Sequence, residues 1–219
     1  MAYIVNVIFC KLGKGLGRFL VPLKTKIIMI ARLFIGVPIE SQRVVQQVKT
    51  WREDELLNQN LLKWVKPENW HITLYFLGNQ PISLINVLQQ VIEESFFGVQ
   101  SFNALINGIG VFPHERNAKV LWSGFDNLQP LVPAYFRMGE LLKQHGITFS
   151  TLPFKPHLTL ARIKSLDQTS SFESFLKSWQ QSEFGHIKID RIVLYQSVSS
   201  LQGPVYTPLF VKALENLQN

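Results

Sequence analysis

Trp70-His71-Ile72-Thr73-Leu74-Tyr75-Phe76-Leu77 and Lys155-Pro156-His157-Leu158-Thr159-Leu160-Ala161-Arg162 share the tetrapeptide His-x-Thr-Leu. The first stretch reads as a strand over 70–77 and the second as a strand over 155–163, both dense in aliphatic, aromatic and β-branched side chains. Strand side chains alternate between faces. His71 and Thr73 therefore share one face, opposite Ile72 and Leu74. His157 and Thr159 share a face in the same way, opposite Leu158 and Leu160. One face of each strand suits a core, and the other carries an imidazole and a hydroxyl side by side. A single such tetrapeptide says little. Two copies, each in a strand and one in each half of the chain, predict two lobes related by an approximate twofold, with their polar faces meeting in one groove.

The surrounding pattern supports two lobes. Residues 31–37 read as a buried strand. Val44, Val45, Val48 and Trp51 fall at helical spacing within 39–53, with Ser41 near the start. Ser83 is a candidate cap for a helix to about Glu94, with Ile85, Leu88, Val91 and Ile92 on one face. The strand over 70–77 is expected to close at Gly78-Asn79. Residues 102–109 and 119–125 read as paired strands around a loop at Pro113. A helix over 130–145 turns Tyr135, Met138 and Leu142 inward and stops at Gly146. A further helix over 170–181 and strands over 186–197 and 205–212 complete the chain. Adjacent strand pairs imply antiparallel sheets, so the expected class is α+β: two pseudo-symmetric lobes, helices outside, the groove between the sheets.

Length and composition bound the rest. The chain has 219 residues, is 47% hydrophobic and carries 22 basic and 15 acidic side chains with one cysteine. A hydrophobic fraction of this size excludes disorder and collagen-like repeats. A lone cysteine excludes a disulfide framework and a multi-cysteine zinc site, and a reducing, cytoplasmic setting is expected. Lys11, Lys14, Arg18, Lys24 and Lys26 lie in residues 1–28, which hold no acid, so the body is close to charge balance. The body is therefore not a uniformly basic nucleic-acid binder, and any such contact must come from a local patch.

Residues 1–28 place their apolar run before their basic residues, the reverse of a secretory signal, and offer no stretch of about 18 apolar residues for a membrane span. A basic membrane-surface arm is one reading of them. The preferred reading is a poorly ordered extension, or residues upstream of the natural start, ahead of a single bilobal domain over 29–219. Gly13, Gly15 and Gly17 match no phosphate-loop or dinucleotide fingerprint.

Two imidazoles and two hydroxyls in one groove suit in-line phosphoryl chemistry. Imidazole titrates near neutrality, so one ring can deprotonate a water while the other protonates the leaving oxygen. Threonine hydroxyls can donate to the non-bridging phosphate oxygens, where transition-state charge collects. A histidine pair binding zinc is the rival, but it wants a third ligand. His114, Glu115, His145 and His186 have no ligand spacing to either motif, so no metal and no cofactor is expected.

These residues resemble the 2H phosphoesterase superfamily, specifically the bacterial and archaeal RNA 2′,3′-cyclic phosphodiesterases, historically called 2′-5′ RNA ligases. The resemblance rests on Arg32-Leu33-Phe34-Ile35 with Pro38, His71 to Gly78, Gly110-Val111-Phe112-Pro113, Val120-Leu121-Trp122-Ser123-Gly124 and Pro156 to Arg162, in family order over about 31–212. It implies a metal-independent enzyme acting on RNA with a 2′,3′-cyclic phosphate terminus, and nothing in the sequence calls for more than a monomer. It implies hydrolysis to a 2′-phosphomonoester, with weaker reverse 2′-5′ ligation. It also implies His71 as proton donor, His157 as proton acceptor, and Thr73 and Thr159 holding the phosphate. The two motifs are symmetric, so the residues alone leave that direction open.

Arg162, beyond the Thr159-Leu160 pair, is expected on the face of His157 if the strand stays regular, where its guanidinium would clamp phosphate. Phe34, Tyr75 and Trp122 are candidates to stack a terminal base, against a role in the core. His114, Lys119 and Lys155 are weaker substrate candidates, His145 suits a helix C-terminus, and Cys10 has no assigned role. The alternatives are a non-catalytic RNA-end-binding module on the same fold, or a phosphodiesterase of the same superfamily acting on 2′-5′ oligonucleotides or an ADP-ribose cyclic phosphate.

Overall fold

The computed structural model describes residues 29–54, 62–164 and 170–216, so the extension over 1–28 lies outside the described residues. Among the described residues nine strands form two antiparallel sheets. The first has the order β3-β1-β8-β9, from His71–Pro81, Ile30–Pro38, Arg191–Ser200 and Gly203–Ala213. The second has the order β2-β6-β5-β4-β7, from Leu62–Trp64, Leu158–Ile163, Val120–Asp126, Phe102–Phe112 and Glu183–Ile189. Helices α2 (Ile85–Ser95) and α3 (Leu131–Gln144) pack together, with α2 against the first sheet; α1 (Gln42–Glu53) and α4 (Ser170–Trp179) pack against the second. The α+β class and the two-sheet architecture are as expected.

Local signals set the start of α1 and the end of α3. Ser41 caps α1 by accepting from the Val44 N–H at 3.3 Å. Val44, Val48 and Trp51 then face inward, and the Trp51 ring meets Phe175, Trp179 and Phe184 edge-on at 5.3–5.5 Å. That aromatic knot joins α1, α4 and β7. Gly146 ends α3 with φ +66°, and Ile147 N–H donates back to the Leu142 carbonyl at 2.9 Å. Ser83 does not cap α2; it lies in a short 3₁₀ turn, Ile82–Leu84, that leads into the helix.

Two strand readings are corrected. The strand holding His71 does not close at Gly78 but runs on to Pro81, because Gly78, at φ +68°, serves a β-bulge opposite Leu33 and Phe34. The expected strand over 186–197 is two strands in different sheets. Glu183–Ile189 pairs with β4, the chain turns at Asp190, and Arg191 starts a strand paired with β1 and β9. The lobes are consequently not the two halves of the sequence. The first sheet takes two strands from each end of the chain, and several crossings link it to the second.

Candidate active site

Residues from both sheets line a groove of about 690 Å³, among them His71, Thr73, His157, Thr159 and Arg162. All five residues expected from the sequence thus meet in one place. His71 opens β3, and His157 sits one residue before β6 begins. The two rings are held alike. Nδ1 of His71 lies 2.7 Å from the Asn69 carbonyl, and Nδ1 of His157 lies 2.6 Å from the Lys155 carbonyl, in each case two residues upstream. A carbonyl only accepts, so both Nδ1 atoms carry the proton, and Nε2 is the reactive nitrogen of each ring. The His71 ring packs on Phe34 at 4.8 Å and edge-on to Tyr206 at 5.3 Å; the His157 ring packs edge-on to Phe112 at 4.9 Å. Burial lowers the pKa of both imidazoles. The carbonyl bonds oppose that shift in both rings, and the charge of His157 lowers His71 further.

The two motif strands share an irregularity that sets the site. Between β1 and β3, Ile35 pairs with Tyr75 and Gly36 with Thr73, leaving Leu74 unpaired. Between β5 and β6, Leu121 pairs with Ala161 and Trp122 with Thr159, leaving Leu160 unpaired. Each leucine is a bulge residue driven into the core, Leu74 at 5% exposure and Leu160 at 1%. The bulge reverses the parity of the residues after it. Thr159 and Arg162 are an odd number of residues apart, so a regular strand would put Arg162 on the face opposite Thr159. The bulge at Leu160 returns it to the groove, where it pairs with Val120 and Lys63. Arg162 is at the site as expected, but through an irregular strand rather than a regular one. The bulge at Leu74 brings Phe76 to the equivalent place on the first sheet.

The model of the AKAP7 2′5′ RNA ligase-like domain matches residues 33–209. The chain belongs to the 2′-5′ RNA ligase-like family of 2H phosphoesterases. An RNA 2′,3′-cyclic phosphodiesterase of Aquifex aeolicus is 30% identical over 186 residues, covering 81% of this chain and 94% of its relative. One of Archaeoglobus fulgidus is 29% identical over 180 residues, covering 82% and 98%. The crystal structure of TT0787 of Thermus thermophilus superposes with a TM-score of 0.68 at 25% identity, covering 85% of this chain and 100% of that one. Escherichia coli LigT in its apo form superposes at 0.66 with 23% identity, covering 85% and 98%, a likeness of fold.

In this 2H phosphoesterase the groove holds residues that the strand pattern alone did not single out. The Arg32 guanidinium lies 4.9 Å from the centre of the Phe76 ring, and both line the groove. Burial raises the Tyr206 phenol pKa, and the cations of Arg162 and Arg32 oppose that rise, so both guanidinium groups act on Tyr206. Arg32 and Phe76 belong to the stretches that carry the family resemblance. Tyr206 comes from β9, for which the sequence offered only a strand.

The candidate stacking residues divide. Phe34 is 3% exposed and packs against the His71 ring, which it helps to hold in place. Tyr75 faces the helices, stacked on Tyr135 at 4.6 Å with its hydroxyl donating to the Tyr135 carbonyl. Trp122 stacks on Phe112 at 5.1 Å and lines a neighbouring cleft instead of the groove. Lys155 contributes its carbonyl to His157, and Lys119 and His114 do not line the groove. His145 is the C-terminal cap residue of α3. Among the described residues no three His, Cys, Asp or Glu side chains are grouped to hold a metal ion, and no helix is long and apolar enough to cross a membrane.

Gly36 is required by a close approach. A Cβ there would stand 2.8 Å from the Ile72 carbonyl oxygen and 3.4 Å from Cδ2 of His71. Gly36→Ala is therefore expected to cost about 1–3 kcal/mol by overpacking. The strand that must yield carries His71, so thermal denaturation should show a lower midpoint and steady-state kinetics a lower kcat.

Proposed function

We propose that this protein hydrolyses the 2′,3′-cyclic phosphate at the 3′ end of an RNA to a 2′-phosphomonoester, with His71 as acid and His157 as base. Water attacks phosphorus in line with the 3′ oxygen. Nε2 of His157 takes the proton of the water, the bond from phosphorus to the 3′ oxygen breaks, and Nε2 of His71 gives that oxygen its proton. The hydroxyls of Thr73 and Thr159 and the guanidinium of Arg162 hold the non-bridging oxygens. With the 5′ hydroxyl of a second RNA attacking in place of water, the same two proton transfers would join RNA ends by a 2′-5′ linkage as a weaker activity. The observation that carries this reading is the matched anchoring of the two imidazoles, each with Nδ1–H bonded to a carbonyl and Nε2 left for the groove. The curated relatives named RNA 2′,3′-cyclic phosphodiesterase support it.

The test is to incubate a short RNA ending in a 2′,3′-cyclic phosphate with the protein, with and without EDTA, and read the product by phosphorus NMR. A 2′-phosphate formed equally in EDTA is expected. A 3′-phosphate, or turnover that EDTA abolishes, would refute the mechanism.

The pH dependence stems from the two lowered pKa values. Activity needs one ring neutral and the other charged, so kcat/KM should follow a bell whose limbs belong to the coupled pair. The ordinary imidazole pKa is about 6.5, and both rings are shifted down from it. Both limbs should therefore lie below that value, with kcat/KM already falling as the pH rises through neutrality. A profile still rising from pH 6.5 to 8 would contradict the assignment.

A further inference from the structure

We propose that the RNA chain upstream of its reactive end leaves the groove across β2 and runs into a second, basic cleft between β2 and α1. This rests on the reading of the groove as the site of an RNA end. The second cleft measures about 760 Å³, and Lys63, Trp64, Val65 and Lys66 line it and the catalytic groove alike. The two spaces therefore share a wall, the short edge strand β2 and the residues after it. Beyond that wall the cleft adds Lys49 from α1 and Lys164 from the end of β6. No acidic side chain is among its described lining residues.

The cations form a path. Arg162 pairs in register with Lys63, so the guanidinium expected on the reacting phosphate lies next to an ammonium on the edge strand. Lys66 follows on the same wall, and Lys49 and Lys164 stand on the far side. All four lysines are exposed, and only Lys66 pairs with an acid among the described residues, Glu68 at 3.9 Å. The body of the chain is near charge balance, so this grouping is local. Between the cations the lining is apolar, with Val45 and Trp64 half-buried on its surface. A single-stranded nucleic acid is bound by that combination, cations for its phosphates and apolar surface for its base faces. A cyclic mononucleotide would fill the groove and never reach Lys49 or Lys164. An oligonucleotide would reach both.

The experiment measures two things on wild type and on the Lys49→Gln/Lys164→Gln double variant, which keeps most of each aliphatic stem. The first is binding of a 5′-labelled 12-nucleotide RNA ending in a 2′-phosphate, by fluorescence anisotropy across a salt series. The second is turnover of a 2′,3′-cyclic mononucleotide. The double variant should bind the 12-mer about tenfold more weakly at low salt. Its log Kd against log salt should be shallower by about 1.4, from two lost phosphate contacts at about 0.7 each. Mononucleotide turnover should stay within twofold of wild type, which also shows that the variant is folded. Unchanged 12-mer affinity and salt slope in the folded variant would overturn the path. Equal loss with the 12-mer and the mononucleotide would overturn it too, since the effect would then lie in the groove. If wild type turned over no cyclic phosphate, the catalytic reading would fail, and the binding arm would still decide the path.

Discussion

His71→Ala and His157→Ala should each lower kcat on an RNA 2′,3′-cyclic phosphate by about 10³–10⁴-fold while leaving KM within a few-fold. The figure reflects the contribution of general acid or base catalysis, about 10²–10⁴-fold per group. The upper range is expected because each ring is fixed before substrate arrives. Its Nδ1–H is held by a carbonyl two residues upstream, and its face or edge is packed against an aromatic ring. The double variant should be slower than either single one, since the ring left in each single variant still moves its own proton. The pH profiles of the single variants separate the roles. With His71 removed, only a neutral His157 is required, so kcat/KM should lose its basic limb and keep the acidic one. With His157 removed, the acidic limb should go and the basic one remain. The opposite pattern would reverse the assignment of donor and acceptor, and a KM that rises with an unchanged kcat would make both residues binders.

The sequence carries the site more fully than it carries the fold around it. Alternation along two strands was enough to put His71 with Thr73 and His157 with Thr159, because the spacing inside each motif is regular. The repetition of the motif was enough to predict a groove between two lobes. The strand over 186–197 was misread because the alternation of Ile187-Lys188-Ile189 is interrupted only by the polar pair Asp190-Arg191 before apolar residues resume at Ile192, with no glycine or proline to mark a break. The chain changes sheets there through a single residue, Asp190, and only long-range pairing with β4 on one side and β1 on the other reveals it. Gly78 was misread because a glycine at positive φ serves a bulge as well as a strand end. Tyr206 was passed over because β9 reaches the groove only through its pairing with β8. Tyr75 and Trp122 could not be placed from sequence, since an aromatic ring on a half-buried strand serves a helix interface and a binding groove equally well.

Arg162→Ala should cost about 10²–10³-fold in kcat, the loss seen when one preorganised donor to transition-state charge is removed. Arg162→Lys should recover only part of that, because an ammonium keeps the charge but loses the fork that grips two phosphate oxygens. The delivery of this side chain can be tested apart from its chemistry. In a regular strand Ala161, not Arg162, would share the face of Thr159. The bulge at Leu160 instead sends Ala161 to the core side opposite Leu121, where it is 0% exposed, and sends Arg162 to the groove opposite Val120. Ala161→Arg in the Arg162→Ala background thus separates the two geometries. A regular strand would restore the guanidinium to the phosphate and rescue kcat. The bulged strand would drive an unpaired cation into the core beneath the second sheet, which is strongly destabilising. The expected result is no rescue of activity together with a large fall in the thermal midpoint, read by circular dichroism. Rescue by the arginine at 161 would show that β6 runs regular and that Leu160 is not the device that turns Arg162 toward the groove.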